Sequence, residues 1–337
     1  MSVGRNYLLE VQGLKKYYPV KAGFLKNTIA YVKAVDDITF KIKEGETLGL
    51  VGESGCGKST AGDSILRLTE PTSGEIKFEG ENILSFNKRD LNKIRKKMQI
   101  IFQDPYTSLD PKMRIVDIVS ESMIIHKLYN RKKDRDNKVK EILSNVGISS
   151  DCMNRYPCEF SGGQRQRIGI ARALAIEPKF IVADEPVSAL DVSVQAQVLN
   201  LLQDLQKEYH LTYLFISHDL NVVKYISDHI AVMYLGKIVE ISEKNKLFKN
   251  PLHPYTKSLL SAVLLPDPTK IKKRIILKGD VPSPLNPPSG CRFHPRCPKA
   301  MDICSLKEPQ LKEFSEGHYV ACHLLDWVRE NEKVSCK

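Results

Sequence analysis

The sequence predicts an α/β fold built on a parallel sheet with a phosphate-binding loop, followed by a small C-terminal extension. The stretch GESGCGKST at residues 52–60 lies between an apolar, β-prone run and a helical one. Strand, loop and helix in this order are typical of a phosphate-binding loop. The apolar runs FIVAD at 180–184 and YLFIS at 213–217 are separated by a helical segment, which indicates buried parallel strands joined by a crossover helix. Residues 279–290 contain four prolines, so they indicate an irregular linker into the extension.

The remaining elements follow from local patterns along the chain. The β segments YLLEVQGL and AVDDITFKI flank a basic connector near the N-terminus and indicate an antiparallel sheet edge. GEIKFEG and MQIIFQ indicate two further short strands. Residues 116–145 have a helical pattern with a strongly charged middle, which predicts a helical insert. The segment NPLHPYTKSLLSAVL at 250–264 predicts a helix before the linker.

Composition and charge narrow the functional class. The chain of 337 residues has a net charge of +11, but its basic residues are scattered in short runs that are typical of solvated surfaces, so we expect no nucleic-acid partner. No apolar run approaches the roughly 18 residues of a membrane span. The start MSVGRNYLLE lacks the features of a signal peptide. We therefore expect a cytoplasmic protein whose cysteines are reduced unless they bind a metal.

The glycine-rich loop carries the first chemical signal. Its pattern places consecutive backbone N–H groups and a helix N-terminus opposite phosphate oxygens. Lys58 would bridge the β- and γ-phosphates, and the Ser59 hydroxyl would bind Mg²⁺. We expect the Cys56 thiol to favour the thiolate at the helix N-terminus, the alternative being a buried and inert side chain. The residues of this loop expected to contact ATP are Gly52, Ser54, Gly55, Cys56, Gly57, Lys58, Ser59 and Thr60.

Two further motifs add catalytic groups. The strand KFIVADEP ends in Asp184 and Glu185. The first carboxylate can hold Mg²⁺ through water, and the second can act as the base for the attacking water. A second motif, SGGQ, opens a long helical run, so that its hydroxyl and backbone donors would face an anion at the positive helix end. This motif consists of Ser161, Gly162, Gly163 and Gln164.

Together these motifs resemble those of the ABC ATPases, in which SGGQ is the signature. The resemblance spans residues from about 14 to 220 and adds roles for single residues. Gln103 of IFQDP resembles the glutamine that contacts Mg²⁺ and senses the membrane partner. Asp191 of SALD resembles the loop that links two active sites, and His218 of FISHDL resembles the switch histidine at the γ-phosphate. Tyr18 of LKKYYPV is the best match for the aromatic residue that stacks on adenine, and Tyr17 is a weaker one.

The resemblance implies a P-loop NTPase fold with a RecA-like core, an antiparallel β subdomain and a helical subdomain at about residues 105–175. It also implies a head-to-tail dimer in which ATP on one P-loop is closed over by the signature helix of the partner. Glu185 with His218 would position water on the γ-phosphate. Ser59 and Gln103 would be the Mg²⁺ ligands. Beyond the glycine-rich loop, the ATP-binding set would include Tyr18, Gln103 and Asp184.

Four cysteines mark the C-terminal extension. Cys291, Cys297, Cys304 and Cys322 are spaced C-x5-C-x6-C-x17-C, and clustered cysteines in a cytosolic protein favour a metal over disulfides. The closer pairs that zinc sites prefer are missing, so an iron–sulfur cluster, a zinc ion and free thiols all remain open. NPLHPYTKSLLSAV and CRFHPRCP resemble the C-terminal extension of oligopeptide and dipeptide importer ATPases. That resemblance implies a [4Fe–4S] cluster on the four cysteines, with Zn²⁺ as the alternative.

The expected function is therefore ATP hydrolysis that powers import of di- or oligopeptides through a membrane ABC transporter. GESGCGKST and MQIIFQDPYTSLDPKM resemble the F-type ATPase of such importers. This implies a D-type ATPase as dimer partner, two transmembrane permease subunits, an extracytoplasmic solute-binding protein, and a peripheral position on the cytoplasmic face of the membrane. We expect residues 1–245 to form the ATPase domain and residues 246–337 the extension. The alternatives are another solute such as nickel, or a soluble ABC ATPase acting on DNA or ribosomes.

Overall fold

The computed structural model describes residues 7–22, 27–262 and 275–326. Its strands, numbered in chain order, are β1 Tyr7–Ala22, β2 Asn27–Lys43, β3 Thr47–Val51, β4 Ser73–Phe78, β5 Glu81–Asn82, β6 Met98–Ile101, β7 Phe180–Asp184, β8 Thr212–Ser217, β9 His229–Tyr234, β10 Lys237–Glu243, β11 Lys312–Ser315 and β12 His318–Val320. Its α-helices are α1 Lys58–Ile65, α2 Lys88–Arg95, α3 Ile115–Ile125, α4 Lys132–Asn145, α5 Gly162–Leu174, α6 Val192–Tyr209, α7 Leu220–Ile226, α8 Lys244–Lys249, α9 Pro254–Ser261 and α10 Asp302–Leu306. Within these ranges, no helix is both long and apolar enough to cross a membrane.

The described residues form two compact units, each assembled from separate stretches of the chain. The first unit contains residues 7–9, 42–47 and 78–217, and the second contains the rest. The glycine-rich loop and the four-cysteine segment therefore belong to the same unit, the second. The acidic strand end and the SGGQ motif belong to the first.

The first unit contains the predicted parallel strands. β7 pairs in parallel with β8 on one side and with β6 on the other. Every residue of β8 is buried, and β7 is buried up to its last residue. The helix α6 connects β7 to β8 and buries one apolar face, with Val198, Leu202 and Leu205 among its buried residues. This arrangement confirms the predicted pair of buried strands with a crossover helix.

The helical insert of the first unit consists of two helices. The predicted segment 116–145 contains α3 and α4, separated by residues 126–131. Lys127 and Tyr129 adopt positive φ angles of 56° and 53° in this break. Because a residue in the left-handed region cannot continue a right-handed helix, the backbone at these two positions separates α3 from α4.

The second unit contains the strand that leads into the glycine-rich loop. That strand, β3, pairs in parallel with β9, and α1 begins at Lys58, within the glycine-rich stretch. The sheet continues from β9 through β10 and β12 to β11, with antiparallel pairing at each step. Most of β2, β1 and β4 form a separate sheet in that order. The predicted strand, loop and helix are thus confirmed, and two strands of the extension belong to the same sheet as β3.

The extension itself combines short helices with irregular chain. α9 confirms the helix predicted before the linker, although residues 263–264 of the predicted segment lie outside the described ranges. Pro254 occupies the first turn of α9, where its missing N–H is tolerated, and His253 Nδ1 accepts the Tyr255 N–H at 3.1 Å as the helix cap. Residues 279–290 contain neither helix nor strand, as their prolines predict.

Candidate functional site

The glycine-rich loop adopts a backbone conformation that requires glycine at two positions. Gly57 has a φ of 103°, and a Cβ atom there would lie 2.0 Å from the Ala34 carbonyl oxygen. A Cβ atom on Gly52 would lie 2.1 Å from the Met233 carbonyl oxygen. Both obstacles are backbone atoms, so they cannot rotate away as a side chain would. The loop thereby leads directly into α1, whose N-cap is Gly57, and presents a helix N-terminus that suits phosphate.

Lys58 is held inside this loop by the backbone of the loop itself. The residue is 5% exposed. Its Nζ donates to the carbonyl oxygens of Gly52 at 2.9 Å and Glu53 at 3.1 Å. These bonds keep the ammonium group in the phosphate loop, where charge-assisted bonds to phosphate can replace them. The other predicted ATP contacts are exposed at Ser54 and Gly55 and half-buried at Ser59 and Thr60.

The Cys56 thiol is not the reactive thiolate that the sequence predicts. The residue is 4% exposed. Burial raises the pKa of the thiol to about 11 and outweighs the lowering effect of the Lys58 ammonium. Because burial disfavours the charged form, Cys56 is protonated and shielded at neutral pH. The buried and inert alternative is the correct one, although Cys56 keeps its place in the loop.

At the acidic strand end, two of the predicted residues, Glu185 and Gln103, form a hydrogen bond. Asp184 is the last residue of β7, and Glu185 follows it with a positive φ of 44°. The Glu185 N–H donates to the Ile216 carbonyl oxygen at 3.0 Å. Gln103, which follows β6, donates from Nε2 to a carboxylate oxygen of Glu185 at 3.1 Å. The structure therefore pairs the predicted loop glutamine with the predicted base, a contact that the sequence does not reveal.

The SGGQ residues form the N-terminal cap of α5. Ser161 Oγ accepts the Gln164 N–H at 3.4 Å, and Gln164 Oε1 accepts the Ser161 N–H at 3.0 Å, which is a capping box. Gly162 and Gly163 form the first turn of the helix. A Cβ atom on Gly163 would lie 2.4 Å from a methyl group of Val194, so glycine permits the close approach of α6. Hydroxyl and backbone donors thus lie at a positive helix end, as predicted.

Of the other predicted residues, His218 and Asp191 lie at the ends of secondary-structure elements, and Tyr17 and Tyr18 lie within β1. His218 follows β8 and is exposed, and Asp191 is the exposed N-cap residue of α6. Tyr18, the preferred adenine candidate, is 38% exposed. Tyr17, the weaker candidate, is half-buried, and its hydroxyl donates to Asp36. The ring of Tyr18 is therefore the more accessible of the two.

The four cysteines of the extension lie near one another without forming a metal-binding arrangement. Burial, and then the negative charges of Cys304, Cys322 and Cys297, raise the pKa of the Cys291 thiol to about 12. In the part of the chain that the structure describes, no group of three or more His, Cys, Asp or Glu side chains is arranged to hold a metal ion. The four residues are free thiols here. The donor chemistry suits a cluster, but the geometry does not support the predicted metal site.

Two arginines between the first two of these cysteines make contacts that sequence reasoning missed. Arg292 forms a buried ion pair with Asp36, which lies 256 residues earlier in the chain. Arg296 donates from Nη1 to a carboxylate oxygen of Glu53 at 2.9 Å, across 243 residues. No local pattern predicts contacts over such separations. The only available signal was the presence of two arginines in CRFHPRCP, the segment that resembles a family extension.

Comparison with known families agrees with both parts of this description. Residues 35–188 match the ABC transporter family, and residues 239–304 match the oligopeptide/dipeptide transporter C-terminal region. The first match covers the glycine-rich loop, the SGGQ motif and the acidic strand end. The second covers α9 and the first three of the four extension cysteines.

Individual proteins give the same result. The chain is 53% identical to the oligopeptide transport ATP-binding protein AppF of Bacillus subtilis (strain 168), over 94% of this chain and 97% of that protein. It is 56% identical to the putative oligopeptide transport ATP-binding protein YkfD of the same organism, over 97% of this chain and 98% of that protein. Among solved structures, it resembles an ATP-binding cassette seen as a dimer in a post-hydrolysis state with ADP and phosphate. That similarity has a TM-score of 0.62 and 30% identity and covers 70% of this chain and 98% of the other.

Proposed function

The chain belongs to the family of oligopeptide and peptide ABC transporter ATP-binding proteins, and from this premise we propose that it hydrolyses ATP to power import of di- or oligopeptides. The observation that carries the proposal is the combination, in one chain, of a complete phosphate loop around Lys58 with the C-terminal region at 239–304. The loop supplies the chemistry of nucleotide binding. The C-terminal region matches the family described as the oligopeptide/dipeptide transporter C-terminal region, which favours a peptide cargo.

ATP binds with its phosphates in the glycine-rich loop and at the N-terminus of α1. Lys58 exchanges its bonds with the Gly52 and Glu53 carbonyl oxygens for bonds with phosphate oxygens. Ser59 and Gln103 would hold Mg²⁺, which supplies neutralisation of the phosphate charge during transfer. The exposed ring of Tyr18 stacks on the adenine.

Hydrolysis depends on the carboxylate of Glu185. In the structure its oxygen accepts the Gln103 amide, and release of that amide frees the carboxylate to take a proton from the attacking water. His218 assists by orienting the water at the γ-phosphate. The signature helix of the partner subunit would also meet the developing charge, and Ser161 with the N-terminus of α5 would do the same for ATP bound to the partner.

The assembly is the one that the resemblance implies. A second ATPase subunit, of the D type, pairs head to tail with this chain through the loop at Asp191. The pair works on the cytoplasmic face of the membrane beneath two permease subunits, and a solute-binding protein supplies substrate from outside. Residues 1–245 serve as the ATPase domain and residues 246–337 as the extension.

A [4Fe–4S] cluster on Cys291, Cys297, Cys304 and Cys322, with Zn²⁺ as the alternative, is a separate part of the proposal. Its support is the resemblance of residues 239–304 to the oligopeptide/dipeptide transporter C-terminal region and the presence of four cysteines in the extension. Protein purified without oxygen should absorb broadly near about 400 nm and contain about four irons per chain. Colourless protein with about one zinc would exclude the cluster, and metal-free protein would leave four free thiols.

The catalytic part is tested by Glu185→Gln. The variant should bind ATP as the wild type does and lose turnover by a factor of about 10² to 10⁴, because the water loses its base. Glu208→Gln changes an exposed glutamate in α6 and serves as the matched control. Turnover of Glu185→Gln within a few-fold of wild type, measured with the partner ATPase, would exclude Glu185 as the base.

The cargo is tested in reconstituted membranes. The ATPase pair and the permeases that co-purify with it from detergent-solubilised membranes are placed in proteoliposomes with the solute-binding protein. Labelled di- and oligopeptides should accumulate in an ATP-dependent manner. Uptake of Ni²⁺ without uptake of peptide would replace the peptide cargo while leaving the ATPase intact.

A further inference from the structure

Glu53, the second residue of the glycine-rich loop, is fixed at each of its polar groups. Its N–H donates to the Tyr255 hydroxyl at 3.0 Å, and its carbonyl oxygen accepts Lys58 Nζ at 3.1 Å. Its carboxylate accepts the Arg296 guanidinium at 2.9 Å. Two of these three partners, Tyr255 and Arg296, come from the C-terminal extension. The extension therefore touches the residue that also holds the phosphate-binding lysine.

A carboxylate in a phosphate loop disfavours the binding of phosphate groups. ATP carries several negative charges, and a bare glutamate beside its site would repel them. The Arg296 side chain is 10% exposed and that of Glu53 27% exposed, so solvent screens this pair less than an ion pair on the open surface. The guanidinium thus offsets the charge of Glu53 at the place where ATP must bind.

Arg296 lies in residues 291–297, which we name the extension loop. The His294 N–H donates to the Cys291 carbonyl oxygen at 2.9 Å, and the Arg296 N–H donates to the Phe293 carbonyl oxygen at 3.0 Å. The Phe293 ring is buried and lies 5.3 Å from the ring of Tyr255. Packing of this aromatic residue and the two turns of backbone hold the guanidinium in one place.

The other end of the extension loop is anchored by a buried ion pair. Arg292 and Asp36 have side chains that are almost fully buried. Burial alone would raise the pKa of Asp36, but the Tyr17 hydroxyl, Lys237 and Arg292 together keep that pKa below its ordinary value. Loss of Arg292 would leave the buried Asp36 carboxylate with only the Tyr17 hydroxyl and the Lys237 ammonium as partners, and should destabilise the fold. Arg292 is accordingly an anchor for the loop and a poor probe of its function.

From this geometry we infer that Arg296 is a positioning residue for the nucleotide site, which sets ATP affinity by neutralising and orienting Glu53. The inference rests on the proposed binding of ATP to the glycine-rich loop. It predicts an effect on nucleotide affinity and none on the hydrolytic step, because the carboxylate that Arg296 contacts is that of Glu53 in the phosphate loop, which takes no part in the proposed proton transfer. Removal of the glutamate charge should compensate for removal of the arginine charge.

The test compares ADP and ATP affinities, measured by calorimetry, with kcat at saturating ATP. Arg296→Gln should weaken binding of both nucleotides about tenfold, equivalent to about 1.4 kcal/mol, and leave kcat within about twofold. The double variant Glu53→Gln with Arg296→Gln should regain affinity to within about threefold of wild type, since neither charge remains. Lys299→Gln, which removes an exposed positive charge two residues beyond the extension loop, should bind as the wild type does.

The possible outcomes separate this inference from the proposed function. Wild type that fails to bind ATP would overturn both. Wild type that binds ATP while Arg296→Gln binds equally well, or a double variant as weak as Arg296→Gln alone, would overturn only the role of Arg296. Should Arg296→Gln fold poorly, Arg296→Lys keeps the charge without the planar fork; it should fold and show affinity within about threefold of wild type. A tenfold loss in Arg296→Lys would show that charge neutralisation is not the cause.

Discussion

The glycine-rich loop and the extension loop lie in one unit of the molecule but are held by different kinds of contact. The conformation of the first depends mainly on backbone atoms: an added Cβ on Gly57 would meet the Ala34 carbonyl oxygen, and Lys58 is bonded to two loop carbonyls. The second is fixed by side chains that reach partners far away in sequence, Asp36 and Glu53. A backbone-built site fails where an added atom meets another backbone atom, whereas a site built from side chains tolerates exchange of one matched pair for another. The predictions below test this difference.

The largest effect is expected in the glycine-rich loop. Gly57→Ala adds a Cβ atom to a residue with φ 103° and a carbonyl oxygen 2.0 Å away, so the loop must distort and ATP affinity should fall at least about a thousandfold. Gly55→Ala is the matched control, because that residue also has a positive φ but its Cβ atom would meet nothing within 4 Å. Equal losses in the two variants, measured by ATP titration, would show that the close contact is unimportant.

Thiol chemistry distinguishes the interior of the glycine-rich loop from the surface. With its pKa raised to about 11 by burial, Cys56 should react with maleimide at least about a hundredfold more slowly than an ordinary exposed thiol. Cys158 is exposed and provides that reference in the same molecule. Peptide mapping of labelled protein by mass spectrometry measures both rates, and labelling of Cys56 at a rate close to that of Cys158 would contradict its burial.

Low pH should destabilise the C-terminal extension. Burial lowers the pKa of His253 from 6.5 to about 4. Between pH 6.5 and pH 4, His253 is protonated in the unfolded chain but not in the folded chain. The stability that the neutral histidine contributes is therefore fully present above pH 6.5. The free energy of unfolding should fall by up to about 3 kcal/mol as the pH falls towards 4. Between pH 7 and pH 4.5, the free energy of unfolding measured in urea should fall less for His253→Asn than for the wild type, because asparagine keeps a cap acceptor but cannot titrate.

His210→Asn is the control for this pH effect. His210 is exposed, with a φ of 52°, a conformation that asparagine tolerates. The variant should keep the full pH dependence of the wild type. A smaller dependence in both variants, or in neither, would show that His253 is not the group responsible.

The smallest effect is expected at the adenine end of the site. Tyr18→Ala should weaken ATP binding by about 1 kcal/mol, a few-fold, because one aromatic stacking contact is lost. Tyr18→Phe keeps the ring and should bind as the wild type does. If Tyr17→Ala weakens ATP binding while Tyr18→Ala does not, the adenine contact belongs to Tyr17.

The sequence predicts the parts of this molecule whose chemistry is local. Lys58, Asp184 and the cap formed by Ser161 and Gln164 follow from short patterns, because a phosphate loop, a strand end and a capping box each need particular residues a few positions apart. The reading of Cys56 failed because exposure depends on the surrounding fold and not on the neighbouring sequence.

Contacts between distant parts of the chain escaped sequence reasoning for the same reason. The bond from Gln103 to Glu185 spans 82 residues, and the ion pair of Arg296 with Glu53 spans 243. Each is set by the order of strands and by the path of the chain over the sheet. The spacing of the four extension cysteines left a cluster, a zinc ion and free thiols open, and in the structure the four residues are free thiols.

The pairing of Asp36 with Arg292 constrains how the sequence can evolve. A chain that ended at residue 245 would keep every nucleotide motif but lose Arg292, leaving the Asp36 carboxylate buried without its guanidinium. An ancestral ATPase could therefore not lose or exchange its extension without compensating changes at residues 36 and 53. Across natural relatives, positions 36 and 292 should covary, and so should positions 53 and 296, although each pair is far apart in the sequence.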